Sequence, residues 1–238
     1  QLEAVKNYYE SISDKNISYG MIDNIYQLNE EMSYFATSDQ KIGLLFAKAI
    51  DMANDSGDIN TYLTNNNLSL NDILFVVFHA GLGQEASQRF DPTIYDIKSA
   101  YVDSNMLEGV GDDYWINQQG VSSGLVMPET LNWIFYDVLE DIFSITFADE
   151  DELENLFCRQ QLGMTGLFSH LLGYHFNFPI MTNIQNGRYG IGDFGLMDQG
   201  CFNQQGIIPA KPNPWIRTND QIDGWVDREN KTDDLFID

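Results

Sequence analysis

The sequence is poor in basic residues. Its 238 residues contain 12 Lys and Arg against 36 Asp and Glu, so the formal net charge at pH 7 is −24. A surface of this sign repels a phosphate backbone, which argues against nucleic acid as a partner. Two interpretations of the acidic excess remain open: a solubilising or salt-adapted surface, and a set of carboxylate sites for calcium.

Cysteines and long apolar runs are also scarce. Cys158 and Cys201 are the two cysteines, too few and too far apart for a metal knuckle, and one disulfide or two buried free thiols fit them equally well. The longest apolar runs, such as 73–80, are far shorter than the roughly 20 residues that cross a bilayer. We therefore expect no transmembrane segment. The chain opens on Gln1 without a signal peptide, and we expect a processed product whose targeting segment is missing.

What the chain does contain is apolar and aromatic material sufficient for a sizeable core: 43% of its residues are hydrophobic, and 4 Trp, 12 Tyr and 15 Phe are among them. Ser38 precedes apolar residues at three- and four-residue spacing, which predicts a capped helix that ends at 54–57. The apolar run 72–80 predicts a strand covered on both faces. Helices packed on a sheet, an α/β (α+β) fold, follow from these two signals.

Other segments give coarser predictions. Short strands are expected at 19–22 and 25–28, and strands and loops over 84–130. Helical spacing predicts helices over 129–147 and 149–162, and a short one over 163–172 that Gly173 would cap. Beyond it, the Gly, Asn and Pro content predicts loops with little regular structure.

Several landmarks, in order along the chain, resemble the immune inhibitor A-like secreted zinc metallopeptidases. The segment 75–87, Phe-Val-Val-Phe-His-Ala-Gly-Leu-Gly-Gln-Glu-Ala-Ser, resembles the family's strand and His-Ala-Gly-x-Gly-x-Glu loop. The segment 190–200 is similar to its Gly-x-Gly-x-Trp-x-Leu-Met-x-x-Gly loop. The remaining landmarks are Tyr8-Tyr9, Ser18-Tyr19-Gly20, Pro128-Glu129, Pro209-Ala210, Trp215 and Gly224-Trp225. The resemblance implies a zincin-like domain, a mixed sheet with packed helices and long irregular loops.

The resemblance also implies a zinc motif, His-Glu-x-x-His-x-x-Gly, on the helix before the Leu-Met loop. Two His at this spacing share a helix face and hold zinc, while the Glu polarises the metal-bound water. The matching residues here are Gly166, Leu167, His170 and Gly173. One ligand and the general base are absent, so we expect no catalytic zinc and no hydrolysis by the family mechanism. Leu167 and Phe168 would instead fill the former cleft.

A different metal site is the sharper alternative. One hypothesis is that His170 and His175 form a metal site with His79, the third histidine of the chain, or with Asp193 or Asp198. The competing interpretation is that each histidine is an ordinary hydrogen-bonded residue. Met197 resembles the methionine turn that lies beneath zinc in related peptidases, but core packing beside Phe194 and Leu196 is the favoured interpretation. Calcium is a further candidate cofactor for the acidic loops, which include Asp112-Asp113, 149–151, Asp193 and Asp198.

These observations lead to one functional hypothesis. Residues 1–225 are predicted to form a single peptidase-like domain, and 226–238 an acidic run-off towards possible further domains. The domain would be a catalytically inactive pseudopeptidase of a secreted or cell-surface protein, with a protein-binding or structural role and protein partners or copies of itself. Two alternatives stay open: a structural subunit of an extracellular surface layer or filament, and an active metal-dependent hydrolase with a non-standard site.

Overall fold

The computed structural model of the chain describes residues 1–13, 16–86, 95–132, 162–183 and 187–218. The predicted helices over 133–161, Cys158, the Gly224-Trp225 landmark and the run-off 226–238 lie outside these residues. The described residues have mixed α/β structure and belong to two compact units, one made of 1–23 and 163 onward, the other of 24–162. The prediction of one domain over 1–225 stays a prediction.

The second unit is built on a small mixed sheet. Strand β1 (Phe75–Leu82) runs parallel to β3 (Gly124–Thr130), and β2 (Ala100–Val102) pairs antiparallel with the other side of β3. The β1–β3 register runs from Phe75 opposite Gly124 to His79 opposite Pro128, and it shifts between His79 and Leu82. The predicted strand at 72–80 is thus confirmed in kind. The prediction that both of its faces are covered is wrong, since most residues of β1 are half-buried or exposed.

Helix α3 (Asp39–Asp55) supplies most of the apolar face beside the sheet. Its N-cap is Ser38, whose side chain accepts a hydrogen bond from the Lys41 amide, as the sequence predicts. Phe46 from this helix is fully buried, and a Cβ on Gly124 would overlap its ring. The close packing of α3 on β3 therefore depends on a glycine in the strand.

Short helices surround this core: α2 (Met32–Phe35), α4 (Asp58–Asn66), α5 (Ser104–Glu108) and α6 (Trp115–Gln118). Two predictions for this unit are wrong. Segment 25–28 forms no strand, nor does 19–22 in the first unit, and neither of them pairs with β1 or β2, the edge strands of the described sheet. Glu129 does not start a helix but belongs to β3, where its neighbours pair with β1.

The first unit is helical. Helix α1 (Leu2–Ile12) buries Val5, Tyr9 and Ile12, which share one helix face, and packs on α7 (Met164–His175). Helix α7 in turn packs on a stretch of tight turns at Gln199–Gly206, and Gly192–Phe194 and α8 (Pro214–Thr218) complete the unit. No described helix has both the length and the apolar character needed to span a membrane.

Candidate functional site

Helix α7 carries the residues that the resemblance predicts at the positions of a zinc motif. It is two residues longer than predicted and ends at His175, with Phe176 as its C-cap. The prediction that Gly173 caps the end of the helix is therefore wrong. Nine of its twelve residues are buried. A helix that is apolar nearly all round, as this one is, must be covered on several sides.

The resemblance predicts Gly166 at the position of the first zinc ligand, and the structure leaves it no room for a side chain. A Cβ built on Gly166 would overlap the carbonyl oxygen of Cys201 and lie 2.8 Å from its carbonyl carbon. The carbonyl oxygen of Gly206 would lie 3.3 Å away. The space that an imidazole would need is thus filled by backbone of the 199–206 turns.

Those turns are held against the start of α7 by an unusual backbone path. Gln204 and Gln205 both have positive φ, at 50° and 58°, and are followed by Gly206 at 79°. The Gly163 amide donates to the Gln205 carbonyl at 2.7 Å, and a Cβ on Gly206 would overlap the Gly163 carbonyl oxygen. A left-handed backbone costs about 1 kcal/mol for a residue with a side chain. The contacts of these turns with Gly163 and Gly166, at the start of the helix, must offset that cost.

The residues that follow Gly166 are packed into the interior. Leu167 and Phe168 are both buried, and Ser169 is fully buried. The Tyr9 hydroxyl donates to the Ser169 carbonyl, and the Tyr9 ring meets that of Phe176 edge-on at 5.3 Å. A leucine, which the resemblance predicts at the position of the general base, can neither accept a proton from water nor order one, and here it is buried.

His170 is oriented by two hydrogen bonds. Its Nδ1 lies 2.9 Å from the Leu196 carbonyl oxygen, which can only accept, so Nδ1 carries the proton and donates. Its Nε2 lies 3.1 Å from the Tyr174 hydroxyl, which then donates to it. Burial lowers the pKa of His170, and the Leu196 carbonyl and the Asp198 charge offset only part of that effect. The ring is therefore neutral at pH 7, and both of its nitrogens have partners.

Gly173 and Met197 come together beneath the helix. Met197 is fully buried, and its sulfur would lie 2.7 Å from a Cβ built on Gly173. The Met197 carbonyl accepts a hydrogen bond from the Met181 amide at 3.1 Å. Both the helix glycine and the methionine of the family's pattern therefore have a packing role that needs no metal.

Asp198 organises the loop that follows 190. Its Oδ2 accepts from the amides of Gly190 and Ile191 at 2.8 Å and Gly192 at 2.9 Å, and its Oδ1 accepts from the Thr182 hydroxyl at 2.9 Å. Burial alone would raise the pKa of this carboxyl, but these four hydrogen bonds outweigh it and the pKa lies below its ordinary value. The carboxylate is already satisfied by protein donors.

The side chains of the other predicted metal ligands are not among the groups that donate to Asp198. His175 and Asp193 have exposed side chains, and His79 belongs to the other unit, on β1. The His79 Nδ1 lies 2.9 Å from the Ala80 carbonyl. Within the described ranges, no three His, Cys, Asp or Glu side chains are grouped as metal ligands. The metal site at His170, His175, Asp193 and Asp198 stays a prediction.

Cys201 is a buried free thiol. Its sulfur donates to the Asp198 carbonyl at 3.2 Å, and burial raises its pKa to about 12. Of the two interpretations of the cysteines, the free thiol holds for this one. Its partner in the alternative, Cys158, lies outside the described residues.

Sequence reasoning missed three participants. Tyr9 is a landmark of the resemblance with no predicted role, Tyr174 has no predicted role, and the carbonyl of Cys201 gives no side-chain signal at all. The spacing of four residues between His170 and Tyr174 on a helix was the one available indication. No protein-family model, curated protein or solved structure matches the chain.

Proposed function

We propose that this chain is a zincin-like domain of the immune inhibitor A type that no longer hydrolyses peptides and serves a binding or structural role in a secreted or cell-surface protein. The observation that supports this most directly is the contact of Gly166 with the Cys201 carbonyl. A zinc site needs a ligand side chain at that position, and a backbone carbonyl in the ligand's place cannot substitute for an imidazole.

The neighbouring contacts support the same proposal. Leu167 occupies the position of the general base and is buried, and the retained His170 has both ring nitrogens in hydrogen bonds. A zinc peptidase must keep one nitrogen of each ligand histidine free to bind the metal and one coordination position open to water and substrate. In this chain the same positions hold a helix and a loop together.

Zinc content and peptidase activity test the proposal together. Purified protein should contain far less than one equivalent of zinc after dialysis against zinc-containing buffer. It should also show no chelator-sensitive cleavage of a mixed peptide library. An active zinc peptidase assayed alongside gives the detection limit. Stoichiometric zinc together with chelator-sensitive cleavage would refute the proposal and support a hydrolase with a non-standard site.

Calcium in the acidic loops forms a separate part of the proposal. Asp112 and Asp113 are adjacent and exposed in the second unit, as carboxylates open to a hard cation must be. Calcium that binds only the folded chain must raise the melting temperature, by mass action. A melting temperature unchanged between millimolar calcium and a chelator would remove calcium from the proposal.

A further inference from the structure

Residues 16–30 form a stretch of chain without helix or strand, and every one of them is exposed or half-buried. Their backbone groups make no hydrogen bond to other backbone groups of the described residues. The side chains of Tyr19, Met21 and Ile25 are 49%, 67% and 99% exposed. Another protein can therefore pair with this backbone directly, because no hydrogen bond has to break first.

Side chains restrain this stretch on both sides of residues 20–23. The Tyr19 hydroxyl donates to Glu3 at 3.1 Å. Further along, the Asn24 amide and the Tyr26 hydroxyl donate to the carboxylate of Asp58, the first of them at 2.7 Å. Residues 20–23 form no hydrogen bond or ion pair with the described residues. The peptide bonds between 19 and 22 are therefore the least restrained ones of the stretch.

These properties are the ones that a protease requires of its substrate. A protease binds an extended chain through its backbone and recognises the side chain that precedes the bond it cuts. Residues 16–30 contain no Lys or Arg, so a pocket for basic side chains has nothing to bind there. Tyr19 and Met21 instead suit a pocket that takes aromatic or large apolar side chains.

We propose that residues 19–22 are a proteolytic processing site, and that cleavage there releases α1 from α7. The enzyme is a protease with a hydrophobic primary pocket. Hydrolysis adds one water across the bond after Tyr19 or after Met21, which leaves a carboxylate on that residue and an ammonium on the next. The inference goes beyond the proposed function and does not depend on it, because it concerns α1 whether or not α7 binds zinc.

After the cut, side-chain contacts alone hold α1. The helix buries Val5, Tyr9 and Ile12. The Tyr8 hydroxyl donates to the Ala210 carbonyl at 2.6 Å, and the Tyr9 hydroxyl donates to the Ser169 carbonyl of α7. A helix of 11 residues is only marginally stable by itself in water. A freed α1 must therefore become helical again each time it binds, and this ordering weakens its binding.

The covalent connection is what keeps α1 in place. A connected segment has an effective concentration in the millimolar range, and in a solution of about 1 μM cleaved protein that advantage falls roughly a thousandfold. The loss favours dissociation of the peptide. The part of α7 on which α1 packs then becomes exposed.

Brief digestion of the whole chain with chymotrypsin, followed by mass spectrometry, tests the site. Chymotrypsin has the hydrophobic pocket that the proposal requires. The bonds after Tyr19 and Met21 should be cut at least about tenfold faster than the Tyr62–Leu63 bond of α4, because helical backbone must open before it can be cut. Equal rates, or cleavage in α4 without cleavage between 19 and 22, would overturn the proposed site.

A double variant, Tyr19→Ser with Met21→Ser, assigns the bonds, and Ile25→Ser is the matched control. All three side chains are exposed, so neither protein should lose its fold, as circular dichroism can verify. The double variant should yield the N-terminal peptide at least about tenfold more slowly, and Ile25→Ser should yield it at the parental rate. An N-terminal peptide released equally fast from the double variant would contradict the assignment.

Size-exclusion chromatography of the digest at about 1 μM tests the release of α1. The N-terminal peptide should elute apart from the remaining protein. A peptide that elutes together with the protein after complete cleavage would overturn the release. Zinc content and peptidase activity are measured on the uncut chain, so failure in either digestion experiment leaves the proposed function standing.

Discussion

The Gly166→Ala variant tests the central contact of the candidate site. Glycine in the middle of a helix is normally worse than alanine by about 1 kcal/mol, so this change would ordinarily stabilise the protein. Here the new Cβ would overlap the Cys201 carbonyl oxygen and lie 2.8 Å from its carbon. Both atoms are backbone, and backbone cannot turn away as the end of a side chain can.

The expected magnitude follows from these two opposed effects. Overpacking a buried site costs typically 1–3 kcal/mol, and a backbone obstacle on a strained turn belongs at the upper end, about 3 kcal/mol. The gain in helix propensity of about 1 kcal/mol offsets part of this, leaving a net loss of about 2 kcal/mol. The sign of the change is therefore opposite to that expected for an ordinary helix glycine.

Urea denaturation followed by circular dichroism measures the loss. Gly173→Ala in the same helix is the control, since its Cβ would meet the sulfur of Met197, a flexible side chain that can shift. It should be destabilised less than Gly166→Ala. If Gly166→Ala is as stable as the parent chain, then the Cys201 carbonyl does not occupy the ligand position and the argument from this contact fails.

Three further predictions concern the groups around α7. Asp198→Asn should lose about 2 kcal/mol of stability in urea denaturation, because several charge-assisted hydrogen bonds become neutral ones, each roughly half as strong; the exposed Asp193→Asn should change it by less than about 0.5 kcal/mol, and equal effects would contradict the described network. The His170 resonance should titrate below the ordinary value near 6.5 in NMR. Because the pKa of His170 is lower in the folded chain than in the unfolded one, this histidine does not affect stability above about pH 6.5 and increasingly destabilises the fold as pH falls from there toward the folded pKa. His170→Gln should remove this pH-dependent loss of stability. A pKa at or above 6.5 would refute the assignment of a neutral ring. Cys201 in the native protein should resist alkylation at pH 8 and react once the chain is unfolded, as peptide mass spectrometry can show; rapid native labelling would contradict its burial.

Local patterns in the sequence predicted the elements that are specified by residues close together in the chain, such as a capped helix or a continuous apolar strand. The helix from Ser38 could be predicted because its cap and its apolar spacing lie within a few residues of one another. The strand at 75–82 followed from a continuous apolar run. The predicted strands at 19–22 and 25–28 failed because alternation alone cannot say whether a neighbouring strand exists to pair with.

For the candidate site, the sequence by itself determined how the segment departs from the motif that it resembles: Gly166 replaces an imidazole of that motif and Leu167 replaces its carboxylate. Only the tertiary structure decided what surrounds these positions, because the contacts there join distant segments. They are the Cys201 carbonyl at Gly166, the Tyr9 hydroxyl on the Ser169 carbonyl, and the His170 ring on the Leu196 carbonyl. Each of these three contacts involves only the backbone of one partner, and backbone groups are the same in every residue. No pattern of side chains in the sequence can therefore specify where they meet; the folded chain does, because the buried groups must find partners for their hydrogen bonds and fill the space around the helix.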